Sequence, residues 1–284
     1  METFKNSFIL NKFSEAIWLM RPDRLDNMIK FLLHRMNDSE EITKSLNLLQ
    51  MEDKKNSLIN VQMSGSTAIL NIEGVMVPKC SWIDSICGFV STLELNMKFQ
   101  ELVEDPMVSK IVNYFDTPGG ETTAIMEFAE SVYSARNKKE IVTFTDADMC
   151  SAGYWVGSSS SKVVCTPSST IGSIGVYIGL FKYEGKSLTN GAYADGVPGD
   201  KINVTFIQAG DNKLFGSPYI EISEAEKTYF QEKVDRNYNT FVSSVSRNRG
   251  VSEEEVKNTK ASYYDAANAP EWMYDILADY NYLF

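Results

Sequence analysis

Short runs of β-branched and aromatic residues alternate with helix-like stretches from residue 67 onwards. Three of these runs predict strands: Thr67–Glu73, Ile111–Phe115 and Ile141–Thr145. Between the strands, apolar residues recur every three or four positions, as on one face of a helix. One such face contains Leu95, Phe99, Leu102 and Val103, and the next contains Ala124, Ile125, Phe128, Ala129 and Val132. Alternating strands and helices predict an α/β domain with a parallel sheet and helical crossovers.

Residues 1–60 follow a different pattern, which predicts helices and then a linker. One helical face is expected after Pro22, and it contains Leu25, Met28, Ile29, Leu32, Leu33 and Met36. Asp38 and Glu41 have the spacing of a capping box for a further helix. We therefore predict an N-terminal helical extension and linker over 1–60 and one main domain over 61–284. The apolar stretch 8–20 contains four polar residues, so it is too short and too polar to span a bilayer.

The C-terminal third begins with a glycine-rich segment around 184–201, EGKSLTNGAYADGVPGDK. It predicts a long loop, either a lid or a surface insertion. Ser223 and Glu226 then predict the start of a long helix that ends before Gly250. Ser252 and Glu255 repeat the capping pattern for another helix.

Composition narrows the class of protein. The 284 residues are 43% hydrophobic and carry a formal net charge of −11. This acidic balance disfavours a nucleic-acid groove or an anionic membrane surface as the partner. The four cysteines, Cys80, Cys87, Cys150 and Cys165, show neither a CxxC pair nor zinc-ligand spacing. They indicate a reducing compartment, with Cys150 and Cys165 as small buried residues.

Candidate chemistry lies where two predicted strands end. Ser151 follows the Ile141 strand, at the predicted start of a helix of small residues. A serine there is either an N-cap or a nucleophile whose oxyanion is met by free backbone N–H groups. Gly119 and Gly120 follow the Ile111 strand, and paired glycines let the backbone turn sharply and direct N–H groups at a bound carbonyl.

A serine nucleophile needs a base. The chain has one histidine, His34, in the N-terminal region far from Ser151 in sequence, so the inventory disfavours a Ser-His-Asp triad. A lysine can replace histidine if burial lowers its pKa towards neutrality. Lys162 is near Ser151 in sequence, but we expect it to cap the end of the Ser151 helix.

Four motifs in this order resemble the signal peptide peptidase A family of serine proteases, and in particular its soluble phage branch, the protein C-type prohead proteases. The motifs are TPGG at 117–120, SAGY at 151–154, GSIGV at 172–176 and AGDNK at 209–213. The resemblance covers about 61–260 of the chain. It implies the ClpP/crotonase-like spiral of ββα units, where the pattern alone leaves other α/β folds open.

The resemblance also implies roles for individual residues. Ser151 is the expected nucleophile, Lys213 the base, and Ser173 a hydrogen-bond partner of that lysine. Backbone N–H groups of Gly119 or Gly120 and of Ala152 are the expected oxyanion hole. The expected reaction is peptide hydrolysis that needs no metal or organic cofactor. Ring-like homo-oligomers, with the serine and the lysine of one site on adjacent subunits, complete the expectation.

Other functions stay open on the sequence. A crotonase-like acyl-CoA enzyme would use the glycine turn for an enolate without needing Ser151 or Lys213. An inactive structural protein of a phage head and a cytoplasmic peptidase that degrades signal peptides are further alternatives. For the protease, the expected substrate is a scaffold, portal or capsid protein. The expected location is the cytoplasm of an infected bacterium or the inside of a prohead.

Overall fold

The computed structural model of the chain describes residues 16–21, 59–80, 88–180, 206–217 and 220–279. The chain divides into two compact units, of which the larger contains residues 18–25, 55–176 and 236–284 and the smaller contains 1–17, 26–54 and 177–235. Each unit takes residues from both sides of position 60, and the assignment of 61–284 to one domain stays a prediction.

The described elements are numbered here in chain order. The strands are β1 Ile17–Met20, β2 Val61–Ser64, β3 Thr67–Glu73, β4 Val75–Val77, β5 Phe89–Ser91, β6 Lys110–Asp116, β7 Gly119–Glu121, β8 Glu140–Thr145, β9 Asp148–Cys150, β10 Lys162–Cys165, β11 Thr170–Gly172, β12 Tyr177–Ile178, β13 Tyr263–Asp265 and β14 Ile276–Leu277. The helices are α1 Thr92–Glu104, α2 Ile125–Ala135, α3 Ala152–Gly157, α4 Glu224–Arg249 and α5 Glu253–Asn258, and short 3-10 turns cover Ala266–Asn268 and Glu271–Met273.

A six-stranded sheet in the order β14-β10-β8-β6-β3-β2 forms the centre of the larger unit. All neighbouring strands are parallel except the β2–β3 hairpin. The three strands predicted from sequence are β3, β6 and β8, and β3 has the bounds that its apolar alternation predicts. Their side chains are buried on both faces of the sheet, as expected for parallel strands covered by helices.

The element order repeats one motif three times. Each of β3, β6 and β8 is followed by one or two short strands of a smaller sheet and then by a helix: β4 and β5 with α1, β7 with α2, and β9 with α3. This is a succession of ββα units, so the predicted ClpP/crotonase-like fold class is confirmed. The repeat places each short second strand directly after the carboxyl end of a central strand.

The helices bury the faces that their periodicity predicts. Helix α1 buries Leu95, Phe99, Leu102 and Val103, and α2 buries Ile125, Phe128, Ala129 and Val132. The Phe99 and Phe128 rings meet edge to face, with centroids 6.0 Å apart. Burying one such side chain stabilises the fold by about 1.5–3 kcal/mol. Ala124 differs from its prediction, because it is the left-handed N-cap of α2 with φ +69°.

Strand β1 corrects the helical prediction for residues 1–60. Residues Ile17–Met20 pair antiparallel with β7, and Trp18, Leu19 and Met20 are almost fully buried. Pro22 explains part of the difference, because the residue before a proline is pushed away from helical geometry. The predicted helices after residue 22, and the glycine-rich loop at 184–201, lie outside the described residues.

The predicted helix boundaries near the C-terminus are confirmed. The Ser223 hydroxyl accepts the Glu226 N–H at the start of α4, which ends before Gly250 with φ +68°. A complete capping box, formed by Ser252 and Glu255, opens α5. The Glu226 carboxylate also accepts the Gly216 N–H at 2.7 Å, which fixes the 206–217 segment to α4 within the smaller unit.

Candidate active site

Ser151 occupies a strained turn between β9 and α3. Its backbone has φ +54° and ψ −112°, a region that residues with a side chain rarely adopt. The residue is 1% exposed, and its Oγ has no hydrogen-bond partner in the described part of the chain. Ser151 occupies the N-cap position of α3, but its side chain makes no capping bond, so the interpretation of Ser151 as an ordinary capping serine is wrong. A strained strand-to-helix turn that carries a serine is the geometry of a nucleophile elbow.

The small residues after Ser151 allow α3 to approach the neighbouring strands. A Cβ on Gly153 would lie 2.4 Å from the Cγ2 methyl of Thr117, and one on Gly157 would lie 2.4 Å from the sulfur of Met149. Neither position has space for a side chain. The Tyr154 hydroxyl donates to the Met273 carbonyl at 3.0 Å and fixes the other side of the helix. Close packing on both sides therefore holds the Ser151 turn in place.

Thr117 connects the glycine turn to β9, the strand that leads into Ser151. Its hydroxyl donates to the Gly74 carbonyl at 2.6 Å and accepts the Gly119 N–H at 3.2 Å. Its backbone N–H donates to Asp148 at 2.6 Å, and its carbonyl accepts from Cys150 at 3.1 Å. Sequence reasoning assigned Thr117 no role, although it is the first residue of the TPGG motif. The motif itself could have drawn attention to Thr117, but its hydrogen-bond partners Gly74, Asp148 and Cys150 are distant in sequence.

The three predicted oxyanion donors are in different states. Ala152 is the first residue of α3, so its N–H has no partner inside the helix. The Gly119 N–H is bonded to Thr117. The Arg21 N–H donates to the Pro118 carbonyl at 3.3 Å, and Met20 lies opposite Gly119 in the same antiparallel ladder. Hydrogen-bonded and non-hydrogen-bonded pairs alternate along such a ladder, so the Gly120 N–H is directed at the carbonyl of Leu19.

Ser173 and Ser151 follow the ends of two strands that pair with each other. Strands β9 and β11 pair in parallel with Cys150 opposite Gly172, and the Ser151 N–H donates to the Gly172 carbonyl at 2.7 Å. Both serines therefore follow the same ends of two adjacent strands. Ser173 also has a positive φ, +57°, and its N–H donates to Ser262 at 2.8 Å. The pairing brings these two predicted site residues together, and the hydrogen-bonding role of Ser173 stays a prediction.

The candidate bases have different positions. Lys213 belongs to the smaller unit, where its side chain is exposed in a turn and its N–H donates to Gly210 at 3.1 Å. Its catalytic role stays a prediction. The expectation for Lys162 is wrong, because this residue begins β10 instead of capping α3, and its charge helps to lower the pKa of Asp275. His34 lies outside the described residues.

The two buried cysteines near the core are not candidates for a reactive group. Burial raises the pKa of the Cys165 thiol to about 12, so this thiol is protonated and unreactive at neutral pH. Cys150 is also buried, as predicted. Across the described ranges, His, Cys, Asp and Glu form no cluster of three or more that could hold a metal ion. No helix within those ranges has the length and apolar character needed to cross a membrane.

Known proteins with similar sequences are proteases and phage head proteins. The chain is 24% identical over 231 residues to the capsid assembly protease C of Escherichia phage lambda, across 81% of this chain and 50% of that protein. It is 23% identical over 204 residues to the head-tail preconnector protein GP5 of Enterobacteria phage P21, across 72% of this chain and 39% of that protein. The chain thus spans half or less of the length of these curated relatives.

One solved structure with a similar chain is the 1510-N membrane-bound stomatin-specific protease, at 15% identity and a TM-score of 0.42, over 68% of this chain and 77% of that one. The model of peptidase family S49 matches residues 134–274, which include Ser151, Ser173 and Lys213. With that match, the resemblance to the signal peptide peptidase family that the four motifs predicted is confirmed.

Proposed function

We propose that this chain is a serine endopeptidase that uses Ser151 as nucleophile and Lys213 as general base. The observation that supports it best is the Ser151 turn: a strained serine at the N-terminus of α3, with a buried hydroxyl that has no hydrogen-bond partner among the described residues. Keeping a buried hydroxyl without a hydrogen bond costs free energy, as does a strained backbone. A purely structural residue at this position would have no reason to carry both costs.

The proposed reaction has two halves. The neutral amine of Lys213 takes the Ser151 proton while Oγ attacks the peptide carbonyl, and the Ala152 N–H stabilises the oxyanion. The C–N bond then breaks, the Lys213 ammonium protonates the leaving amine, and an acyl-serine ester remains. In the second half, Lys213 deprotonates a water that attacks the ester, and the proton returns to Ser151. Ser173 would hold the lysine amine in position.

The substrate class in this proposal is a protein of a phage head, such as a scaffold, portal or capsid protein. The support is the sequence similarity to a capsid assembly protease and to a head-tail preconnector protein. In this proposal the enzyme acts in the infected bacterial cell or inside the prohead. Degradation of signal peptides is the other activity that the family resemblance allows.

The test combines a serine-directed probe with a cleavage assay. We expect a fluorophosphonate to label wild-type protein at Ser151, and purified candidate head proteins to be cleaved by the same preparation. Ser151→Ala removes both signals, and Lys213→Arg removes cleavage because an arginine stays protonated and cannot act as a base. Cleavage by folded Ser151→Ala protein would exclude the nucleophile assignment. Normal cleavage by Lys213→Arg would place the base elsewhere.

A further inference from the structure

Strand β7, which holds two of the proposed oxyanion donors, has no open edge in the larger unit. One of its edges pairs with β4 through Gly120 and Met76, and the other pairs with β1. Ser151 is itself 1% exposed. An extended polypeptide that presents its carbonyl to Ser151 therefore has neither a free strand edge to pair with nor access to the nucleophile. The structure describes a closed site.

The backbone of β1 uses the groups that a peptide would use. The Leu19 carbonyl faces the Gly120 N–H, and the Arg21 N–H donates a hydrogen bond to the Pro118 carbonyl. The approach is close, because an ideal Cβ on Gly119 would lie 2.0 Å from the Leu19 carbonyl oxygen. Addition of an extended peptide to a sheet edge uses the same antiparallel main-chain bonds. β1 is thus placed on the glycine segment as such a peptide would be.

Arg21 holds the end of this strand beside the nucleophile strand. Its guanidinium lies 3.6 Å from the Asp148 carboxylate, three residues before Ser151, and 4.1 Å from the centre of the Tyr263 ring. Tyr263 belongs to β13, which pairs with β11 next to Gly172. Arg21 therefore contacts β9, which leads into Ser151, and β13, whose Tyr263 lies opposite Gly172 of β11. Its side chain is 11% exposed, which strengthens the charge contact relative to a surface pair.

We propose that the β7 edge covered by β1 is the edge on which an extended polypeptide substrate pairs, and that Ile17–Met20 is an intramolecular competitor for it. The inference rests on the proposed function, because it takes the substrate to be a polypeptide whose carbonyl is attacked by Ser151. A tethered strand competes at high effective concentration, so a substrate must be present at correspondingly higher concentration to displace it. Release of β1 opens the β7 edge.

A reversible lock in the full-length chain tests the proposal. Trp18 lies directly opposite Glu121, and the alternation of the ladder from the Arg21–Pro118 bond makes this a backbone non-hydrogen-bonded pair. Such pairs have Cα atoms about 4.5 Å apart, within the range that a disulfide spans. In the double variant Trp18→Cys with Glu121→Cys, oxidation fixes β1 on β7 and reduction releases it. The two single variants cannot form this bond and control for the native cysteines.

The readouts are binding of a fluorescent peptide with the sequence of residues 13–24, measured by anisotropy, and fluorophosphonate labelling of Ser151. We expect oxidation of the double variant to weaken peptide binding at least about tenfold, with full recovery on reduction, because only the fraction with β1 displaced can bind the peptide. Equal or stronger binding in the oxidised form, or no peptide binding to either form, would overturn the proposal. If oxidation blocks peptide binding but Ser151 is labelled in neither form, the role of β1 as a competitor would be supported and the proposed protease function would be excluded.

Arg21→Ala provides an independent test without new cysteines. Loss of the Asp148 and Tyr263 contacts loosens the end of β1 but leaves β7 intact. If β1 is a competitor, the same peptide should bind severalfold more tightly to the full-length Arg21→Ala variant than to wild type. As a fixed part of the site, β1 would instead give unchanged or weaker binding, and that result would also overturn the proposal.

Discussion

At the scale of single residues, the strongest signal is the contrast between Ser151 and Ser252. Both precede a helix, but only Ser252 caps one, with its hydroxyl accepting the Glu255 N–H at 3.2 Å. Ser151 makes no capping bond and has a positive φ. The sequence could not separate these two roles, because both serines occupy a helix start. The difference lies in the backbone angles, which the packing around Gly153 and Thr117 imposes.

We predict that Ser151→Gly makes the chain more stable as it becomes inactive. Relief of the strained backbone contributes about 1–3 kcal/mol, and the greater freedom of glycine in the unfolded chain removes about 0.5–1 kcal/mol of that gain. The free energy of unfolding in urea should therefore rise. As the matched control, Ser252→Ala should lower it by about 0.5–2 kcal/mol through loss of a true cap. Destabilisation of Ser151→Gly by a similar amount would show that the turn is unstrained.

At the scale of elements, the apolar periodicity of the sequence correctly predicted the strands and helices that pack against elements near them in the chain. Strands β3, β6 and β8 and helices α1 and α2 follow from apolar periodicity, because each buries one face against its neighbours in the chain order. Strand β1 could not be predicted in the same way, since its partner β7 lies about a hundred residues further on. The pairing of β1 on the glycine segment of β7 could not be predicted for the same reason.

Asp275 is a second long-range contact of this kind, and it secures the C-terminal segment. Its carboxylate accepts the Val163 N–H at 2.7 Å and two bonds from Arg249 at 3.0 Å, and its own N–H donates to Val163 at 2.8 Å. Burial alone would raise the pKa of this carboxyl, but Arg249 and the Val163 N–H outweigh burial and lower it. The carboxylate thus connects α4, β10 and the segment leading into β14.

We predict that Asp275→Asn removes an acid-sensitive part of the stability. An unfolded aspartate titrates near about pH 4, and the folded group titrates lower, so its stabilisation is complete above about pH 4 and is lost as the pH falls through the lowered pKa. At neutral pH the variant should lose about 1–2 kcal/mol of unfolding free energy, because the Asp275 side chain is 38% exposed and solvent weakens its charged hydrogen bonds. Its loss relative to wild type should shrink as the pH falls below about 4.

Urea unfolding across this pH range measures the effect. Glu130→Gln is the matched control, because Glu130 and Arg247 form an exposed ion pair at 2.8 Å with side chains 52% and 42% exposed. Such a pair contributes about 0–1 kcal/mol. An Asp275→Asn variant that behaves like the control at every pH would show that the carboxylate does not secure the C-terminal segment.

At the scale of the whole molecule, the predicted site residues are distributed over two compact units. Ser151 and Ser173 belong to the larger unit, and Lys213 belongs to the smaller one. Lys213 also follows Ser151 by many positions in the chain, so sequence spacing does not force the two together. An exposed lysine becomes an effective base only when its surroundings lower its pKa, and a neighbouring copy of the chain can provide such surroundings. We therefore retain the hypothesis of a homo-oligomer whose sites combine the serine of one subunit with the lysine of the next.

We predict that two inactive variants restore activity when their subunits interleave. Co-expressed Ser151→Ala and Lys213→Ala chains, with different affinity tags, are purified through both tags so that every oligomer contains both. In a shared site, some junctions pair an intact serine with an intact lysine, so cleavage should return to a fraction of wild type. If each site lies within one chain, every subunit has one lesion and the mixture stays inactive. Mixing the separately purified variants without exchange is the control, and an inactive hetero-oligomer that carries both tags would exclude the shared site while leaving the Ser151 assignment intact.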